Sequence, residues 1–381
     1  MRNDIHVILD EVIDSGVYHD GPRTERLAAI AGERWGGFPI PVSSGTMALT
    51  AAFRGLAGEP GDEVVVPAMT FPSTLFAAIA CDLVPVVVDI DPMTRNLDPT
   101  AVEAAITPRT RAIVAVHLHG LAADMHRLGS IARRHGLAVI EDCAQAAGAT
   151  QSGRFVGTFG DFGCFSLWVG KNLGGLGDAG LLIARDRDRV AMLRRWVDLG
   201  RDDDRNRHDL VGDLGRIDEL DAAVVAHQLE LLPQWIERRR GIAAGYSAAF
   251  TALPLRLPSD EFDRPHTYYK YAIQTASPHQ ANALMAHLAD SGIAAEQVYP
   301  VPVASQPAFT SPVTGRTPGH RRTPVPVAER FARTHVCLPI YPELTDSEVE
   351  RIIDAVTGYY RGEGASSGKV LATAGRVEHG S

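Results

Sequence analysis

From residue 38 to about 185 the chain alternates short, unbroken apolar runs with helix-like segments, and this alternation constrains its fold most. "FPIPVSS" leads into "GTMALTAAFRGLAG", "DEVVVPA" into "PSTLFAAIACDL", "VPVVVDI" into "PTAVEAAI", and "RAIVAVHLH" into "DMHRLGSIARRHG". "LAVIEDCA", "DFGCFSLW" and "AGLLIARD" follow. A strand with one wet face alternates apolar and polar residues. Continuous runs instead imply burial on both faces, and strand–helix alternation implies parallel crossovers. The expectation is a three-layer α/β domain.

A long helical stretch, 217–250, follows, with Pro233 expected to break or kink it. Beyond about 251 the pattern reads strand ("TYYKYAIQT"), helix ("HQANALMAHLADSG") and strand ("IAAEQVY"), then the closing helix "TDSEVERIIDAVTGYY". We expect a large domain over 1–250 including the N-terminal segment, a smaller α+β domain over 251–361, and a disordered Gly/Ala/Ser tail over 362–381. The proline-rich loop 300–326 is long enough to be functional or mobile.

With a formal net charge of −9, the chain is not expected to bind nucleic acid. In "RDRDRVAMLRRWVDLGRDDDRNRHD" the aspartates nearly cancel the arginines, so this run reads as solvated helix and loop. Its four cysteines form no CxxC pair, as suits reduced thiols. Acids interrupt the apolar N-terminus, and no run approaches the ~18 apolar residues of a membrane span. A cytoplasmic protein with no membrane partner is expected.

Of 37 basic side chains only Lys171, Lys270 and Lys369 are lysines. Arginine replaces lysine where a solvated charge suffices, but not where an amine must lose its proton and react. Lys270 sits in a strand-like segment and Lys369 in the tail. Lys171, in "GCFSLWVGKNLGGLGDAG", is the candidate nucleophile.

Three features join it. In "VSSGTMAL" a strand passes through small residues into a helix, so the amides of Gly45, Thr46 and Met47 read either as a phosphate cradle or as an ordinary helix cap. "LAVIEDCAQAAGA" puts Glu141 and Asp142 at a strand end, where open α/β sheets bind ligands; Asp142 reads as the partner of a protonated ring nitrogen or as a helix cap. Ser166 stands five residues before Lys171, in reach of the same phosphate. Phe71, in "PAMTFPST", reads as a cover for an aromatic ring or as plain core. Phosphate cradle, carboxylate, stacking ring and amine together describe a pyridoxal 5′-phosphate (PLP) site. The pair His117 and His119 in "VHLHG" would share one strand face, but has no evident third ligand; no metal is expected.

These motifs, with "GRIDELDAA" and "LPIYPELT", resemble the DegT/DnrJ/EryC1/StrS family of sugar aminotransferase-like, fold-type I PLP enzymes. The resemblance implies a homodimer with active sites at the interface, moving an amino group from glutamate or glutamine to a keto-sugar or keto-cyclitol in secondary-metabolite or glycan biosynthesis. It implies Lys171 as Schiff-base lysine, Asp142 on the pyridine nitrogen and Gln145 on the ring hydroxyl. Phe71 would stack on the ring, with Thr46, Met47 and Ser166 on the phosphate. Retention of Lys171 argues against the family's dehydratases, which have histidine there. Two positions depart from the family: Leu214 stands for a phosphate-binding asparagine, and Ala304 for a substrate-side histidine. The alternatives are other PLP chemistry on an amino acid (elimination, replacement or cyclisation) and a non-catalytic regulatory member.

Overall fold

The computed structural model describes residues 2–56, 58–202, 206–258, 263–310 and 319–362. The expected tail, apart from Gly362, and positions 311–318 of the proline-rich loop lie outside the described residues.

Helices α1 (Arg2–Ser15) and α2 (Pro22–Trp35) precede β1 (Phe38–Val42), α3 (Gly45–Arg54), β2 (Glu63–Pro67), α4 (Ser73–Ala80), β3 (Val84–Val88), α5 (Pro99–Ala105), β4 (Thr110–Val116), α6 (Met125–His135) and β5 (Ala138–Asp142). A short hairpin, β6 (Thr150–Gln151) and β7 (Arg154–Phe155), leads to β8 (Phe162–Ser166), β9 (Gly180–Ala184), α7 (Arg187–Trp196) and α8 (Glu219–Phe250). The remainder is β10 (Tyr271–Gln274), α9 (Pro278–Asp290), α10 (Pro307–Thr310), β11 (Arg321–Arg322), α11 (Pro326–Thr334), β12 (His335–Leu338) and α12 (Asp346–Arg361).

Eight strands form one sheet in the order β1-β9-β8-β5-β4-β2-β3-β11. Its central strands carry unbroken apolar runs because successive side chains enter different cores, while the edge strand β11 is Arg321–Arg322. Val64 and Val66 pack on one face and Val65 on the other; Leu182 and Ala184 join the first core while Leu181 and Ile183 join a third, under α2 and α8. This is the expected three-layer arrangement. One strand departs from it: β9 is antiparallel to both β1 and β8. No crossover helix lies between β8 and β9, so the chain returns directly alongside the strand it left.

A separate core joins the end of α8, β10, α9, β12 and α12, including Tyr246, Tyr271, Leu284, Val336 and Ile352. Three local expectations change here. Helix α8 runs unbroken for 32 residues through Pro233, whose ring is exposed. "IAAEQVY" forms only an isolated bridge, Glu296 to Cys337, rather than a strand. Its backbone is diverted to side chains: Val298 N–H donates to His335 Nε2 at 2.7 Å and its carbonyl accepts from His119 Nε2 at 3.1 Å. Finally, β11 pairs in parallel with β3, and Ala328, Phe331 and Ala332 of α11 enter the core of the large sheet, so the chain crosses back before β12.

The carboxyl ends of β1, β2, β4, β5 and β8 run into Ser44, Phe71, His117, Asp142 and Ser166 along one sheet edge. That edge is where open α/β sheets bind ligands.

Candidate active site

Lys171 lies in the turn after β8, its backbone N–H donating to Trp168 carbonyl at 2.8 Å. Its half-buried side chain carries Nζ over the Tyr269 ring, 4.9 Å from the centroid. The following glycine-rich stretch is held from α8. Asp221 Oδ1 accepts the Leu176 N–H at 2.5 Å, while Asp218 caps the helix and Glu219 receives the amides of Gly21, Arg23 and Thr24. "DELDAA" is thus a scaffold for both the lysine turn and the N-terminus of α2.

Asp142, the last residue of β5, is only 5 % exposed. Its Oδ2 accepts from Thr74 Oγ1 at 2.9 Å and its Oδ1 from the Ala144 N–H at 3.1 Å. Burial raises its pKa above the usual carboxylate value, against these hydrogen bonds and the charge of Lys171. Thr74 in turn meets Thr70 at 2.7 Å. The carboxylate is therefore fixed in direction, and a cation against it would offset its desolvation.

Gln145 bridges two chain segments: Oε1 accepts the His119 N–H at 2.7 Å and Nε2 donates to Tyr299 Oη at 2.9 Å. Tyr299 also lies 6.1 Å, ring to ring, from Phe71. Phe71 is 57 % exposed, so it is not core.

At the start of α3, Ser44 accepts the Met47 N–H at 3.1 Å, leaving the Gly45 and Thr46 amides at the helix end. Thr46 Oγ1 donates to Ser73 Oγ at 2.8 Å. A Cβ on Gly45 would stand 2.7 Å from Ser166 Cβ, so Gly45 and Ser166 meet only because glycine has no side chain. The sheet edge thus brings Gly45, Thr46 and Ser166 together in one small-residue cradle.

His117 and His119 do not share a strand face. β4 ends at Val116, and His119 takes φ +59 in the turn that follows. His117 Nδ1 accepts the Ala123 N–H, so Nε2 carries the proton and donates to Glu141 at 3.2 Å. Glu141 also accepts the amides of Gly157, Phe159 and Gly160. Although His117, Glu141 and Cys143 lie close enough to hold a metal, the first two have committed their donor atoms to the fold. Both departures fall outside this network: Leu214 is 59 % exposed, while Ala304 is buried in the core of the large sheet.

The sequence does not reveal Thr74, Tyr269, Tyr299 or Asp221 as site residues. Only "DELDAA" carried a signal, through its place in the resemblance.

A mostly parallel sheet presenting a lysine turn, a buried aspartate and a helix-end cradle at its carboxyl edge defines a PLP-type transferase fold. The chain belongs to the DegT/DnrJ/EryC1/StrS aminotransferase family, which it matches over residues 1–357, and PLP is the cofactor of that family. It is 38% identical over 358 residues to the Streptomyces venezuelae dTDP-3-amino-3,4,6-trideoxy-α-D-glucose transaminase, covering 93% of this chain and 92% of that protein. A pleiotropic regulatory protein of Geobacillus stearothermophilus is 35% identical over 365 residues, 95% of each chain. An X-ray structure of S. venezuelae DesV in complex with a ketimine intermediate superposes with a TM-score of 0.88, at 38% identity, over 94% of this chain and 95% of that one.

The residues fit PLP on two counts. Gly45, having no Cβ, lets the start of α3 pack directly on Ser166, which sets the helix-end amides of Gly45 and Thr46 beside that residue. Asp142 is a buried carboxylate with hydrogen-bond donors but no ion-pair partner among the described residues. Among those residues no helix is long and apolar enough to cross a membrane.

Proposed function

We propose that this aminotransferase moves an amino group from glutamate or glutamine to a nucleotide-linked keto-sugar, with Lys171 as the reactive amine and Asp142 as the electrostatic partner of the cofactor ring. The observation that carries the reading is Asp142: a carboxylate buried and aimed by Thr74 and Ala144, yet without an ion-pair partner among the described residues. PLP supplies an electron sink for charge developing at the substrate carbon. Lys171 Nζ would hold the cofactor and, once released, carry a proton to and from that carbon. The Tyr269 ring beneath Nζ limits where the amine can swing. Gln145 and Tyr299 would border the ring edge and Phe71 its face, with Gly45, Thr46 and Ser166 around the phosphate; the Met47 amide, expected there too, is taken by Ser44. The kinship with a dTDP-sugar transaminase supports the acceptor class.

We further propose a homodimer. Phe71, Trp168, Val169, Leu176, Val211 and Leu214 are large apolar side chains left exposed, several of them at the site. Such exposure calls for a covering partner. A sedimentation mass of about 41 kDa, the single-chain value, would remove this assignment. The two cores are proposed as the domains 1–250 and 251–361, the second returning β11 and α11 to the first. A cytoplasmic location is proposed on the cysteines, all four of which are free.

The test is to follow the visible spectrum of the PLP-loaded protein while glutamate, then glutamine, is titrated. Conversion of the bound cofactor to its amine form supports the reading and identifies the donor. The regulatory relative favours a second reading, a protein that binds PLP without turnover, and a spectrum unmoved by either donor would select it.

A further inference from the structure

A cavity of about 480 Å³, sharing no lining residue with the cofactor cradle, opens between the two cores beside the loop that leaves the carboxyl end of β3. Three arginines line it: Arg95 from the loop after β3, Arg330 from α11, and Arg256 from the segment preceding β10. Some other arginines are ion-paired, as Arg111 with Asp62 and Arg321 with Glu63. None of these three forms an ion pair among the described residues.

Their actual partners are weak or neutral. Arg95 donates to Gln274 Oε1 at 2.6 Å and lies over the Phe331 ring, 4.9 Å from its centroid. The nearest acceptor of Arg256 is the Met93 thioether, at 2.7 Å. Arg330 is exposed at the cavity wall. The two acids of the adjoining loop are already committed. Asp89 caps α11 through the amides of Val327 and Ala328, and Asp91 Oδ1 receives those of Met93 and Thr94.

The loop also holds Arg95 in a conformation its residue type disfavours. Arg95 has φ +64, where glycine or asparagine is the usual occupant, and its amide is tied to the Asp91 carbonyl. Burial, then the charge of Arg256, lowers its pKa to about 10 although the charge of Asp91 acts the other way, and it stays cationic at neutral pH. Three like charges facing one cavity repel unless an anion stands between them. The guanidinium fork matches the oxygens of phosphate best when several forks converge.

We propose that this cavity binds a small multivalent phosphate-class anion, either free or as the diphosphate of a nucleotide, with Arg95 and Arg330 holding it from one core and Arg256 from the other. The site is separate from the cofactor cradle, so the proposal does not rest on the aminotransferase reading.

The experiment is calorimetric titration of the PLP-loaded full chain with inorganic pyrophosphate and, separately, with UDP, using wild type, Arg256→Gln and Arg330→Gln. Both substituted side chains are exposed, and an unchanged cofactor spectrum would show the cradle intact. One saturable pyrophosphate site, weakened at least tenfold in each variant, is the expected result. Tighter binding of UDP, equally sensitive to both substitutions, would assign the nucleotide source, and equal or weaker binding the free anion. The proposal is overturned if neither anion saturates a site, or if both variants bind like wild type.

Discussion

Asp142 and Lys171 were legible in the sequence because their chemistry demands particular residue types. A lysine is conspicuous in a chain that otherwise uses arginine, and an acid is conspicuous at the end of an apolar strand. Their supporting side chains were not legible. Tyr299 stands 154 residues from Gln145 and Thr74 stands 68 from Asp142, distances that only the fold closes. The Asp142 environment makes a sharp prediction. Asp142→Asn keeps an oxygen for Ala144 and nearly the same shape but removes the charge. PLP should remain bound while conversion by the amino donor slows on the order of 100-fold or more, the scale for losing a preorganised electrostatic group. Single-turnover absorbance measures this directly. Wild-type conversion by the variant would strip Asp142 of its proposed role.

At the scale of elements, unbroken apolar runs announced the sheet because each strand feeds cores on both of its faces. The orientation of β9 was not readable, since an apolar run carries no direction. "IAAEQVY" has strand composition, but its backbone at Val298 is claimed by two histidines distant in sequence. The junction of α3 with β8 offers the element-level test. A methyl group on Gly45 would meet Ser166 Cβ at 2.7 Å and its Cα at 2.9 Å, and the latter is backbone that cannot rotate away. Gly45→Ala should therefore push the helix end off the strand, costing about 1–3 kcal/mol of stability, as overpacking does. PLP affinity should fall with it, because the helix-end amides move. Chemical denaturation and PLP titration would measure the two effects. A variant that loses stability but keeps its PLP affinity would separate the cradle from the phosphate.

At the scale of the whole molecule, the two cores meet around a histidine whose state is fixed by its hydrogen bonds. His335 opens β12, donates Nδ1–H to Phe331 carbonyl at 2.8 Å, and accepts the Val298 N–H on Nε2 at 2.7 Å. A proton on Nε2 would confront that N–H. Burial chiefly, with the charge of Arg95 also unfavourable, lowers the His335 pKa to about 4 from an ordinary 6.5, although its backbone hydrogen bonds act in the other direction. The sign follows from linkage. Above pH 6.5 the ring is neutral whether folded or unfolded, and stability does not depend on it. Between pH 6.5 and about 4 the unfolded chain takes up a proton that the folded one refuses, so stability falls as pH falls. At ~1.4 kcal/mol per pH unit the loss reaches about 3 kcal/mol. His119 and His266, also shifted downward by burial, add the same sign, while Asp142, shifted upward, opposes it. His335→Asn should lower stability at neutral pH but flatten its decline between pH 6.5 and 4.5. Thermal unfolding across that range, wild type beside variant, is the measurement. Parallel curves would mean that His335 is protonated without cost and that its hydrogen bonds do not govern the junction.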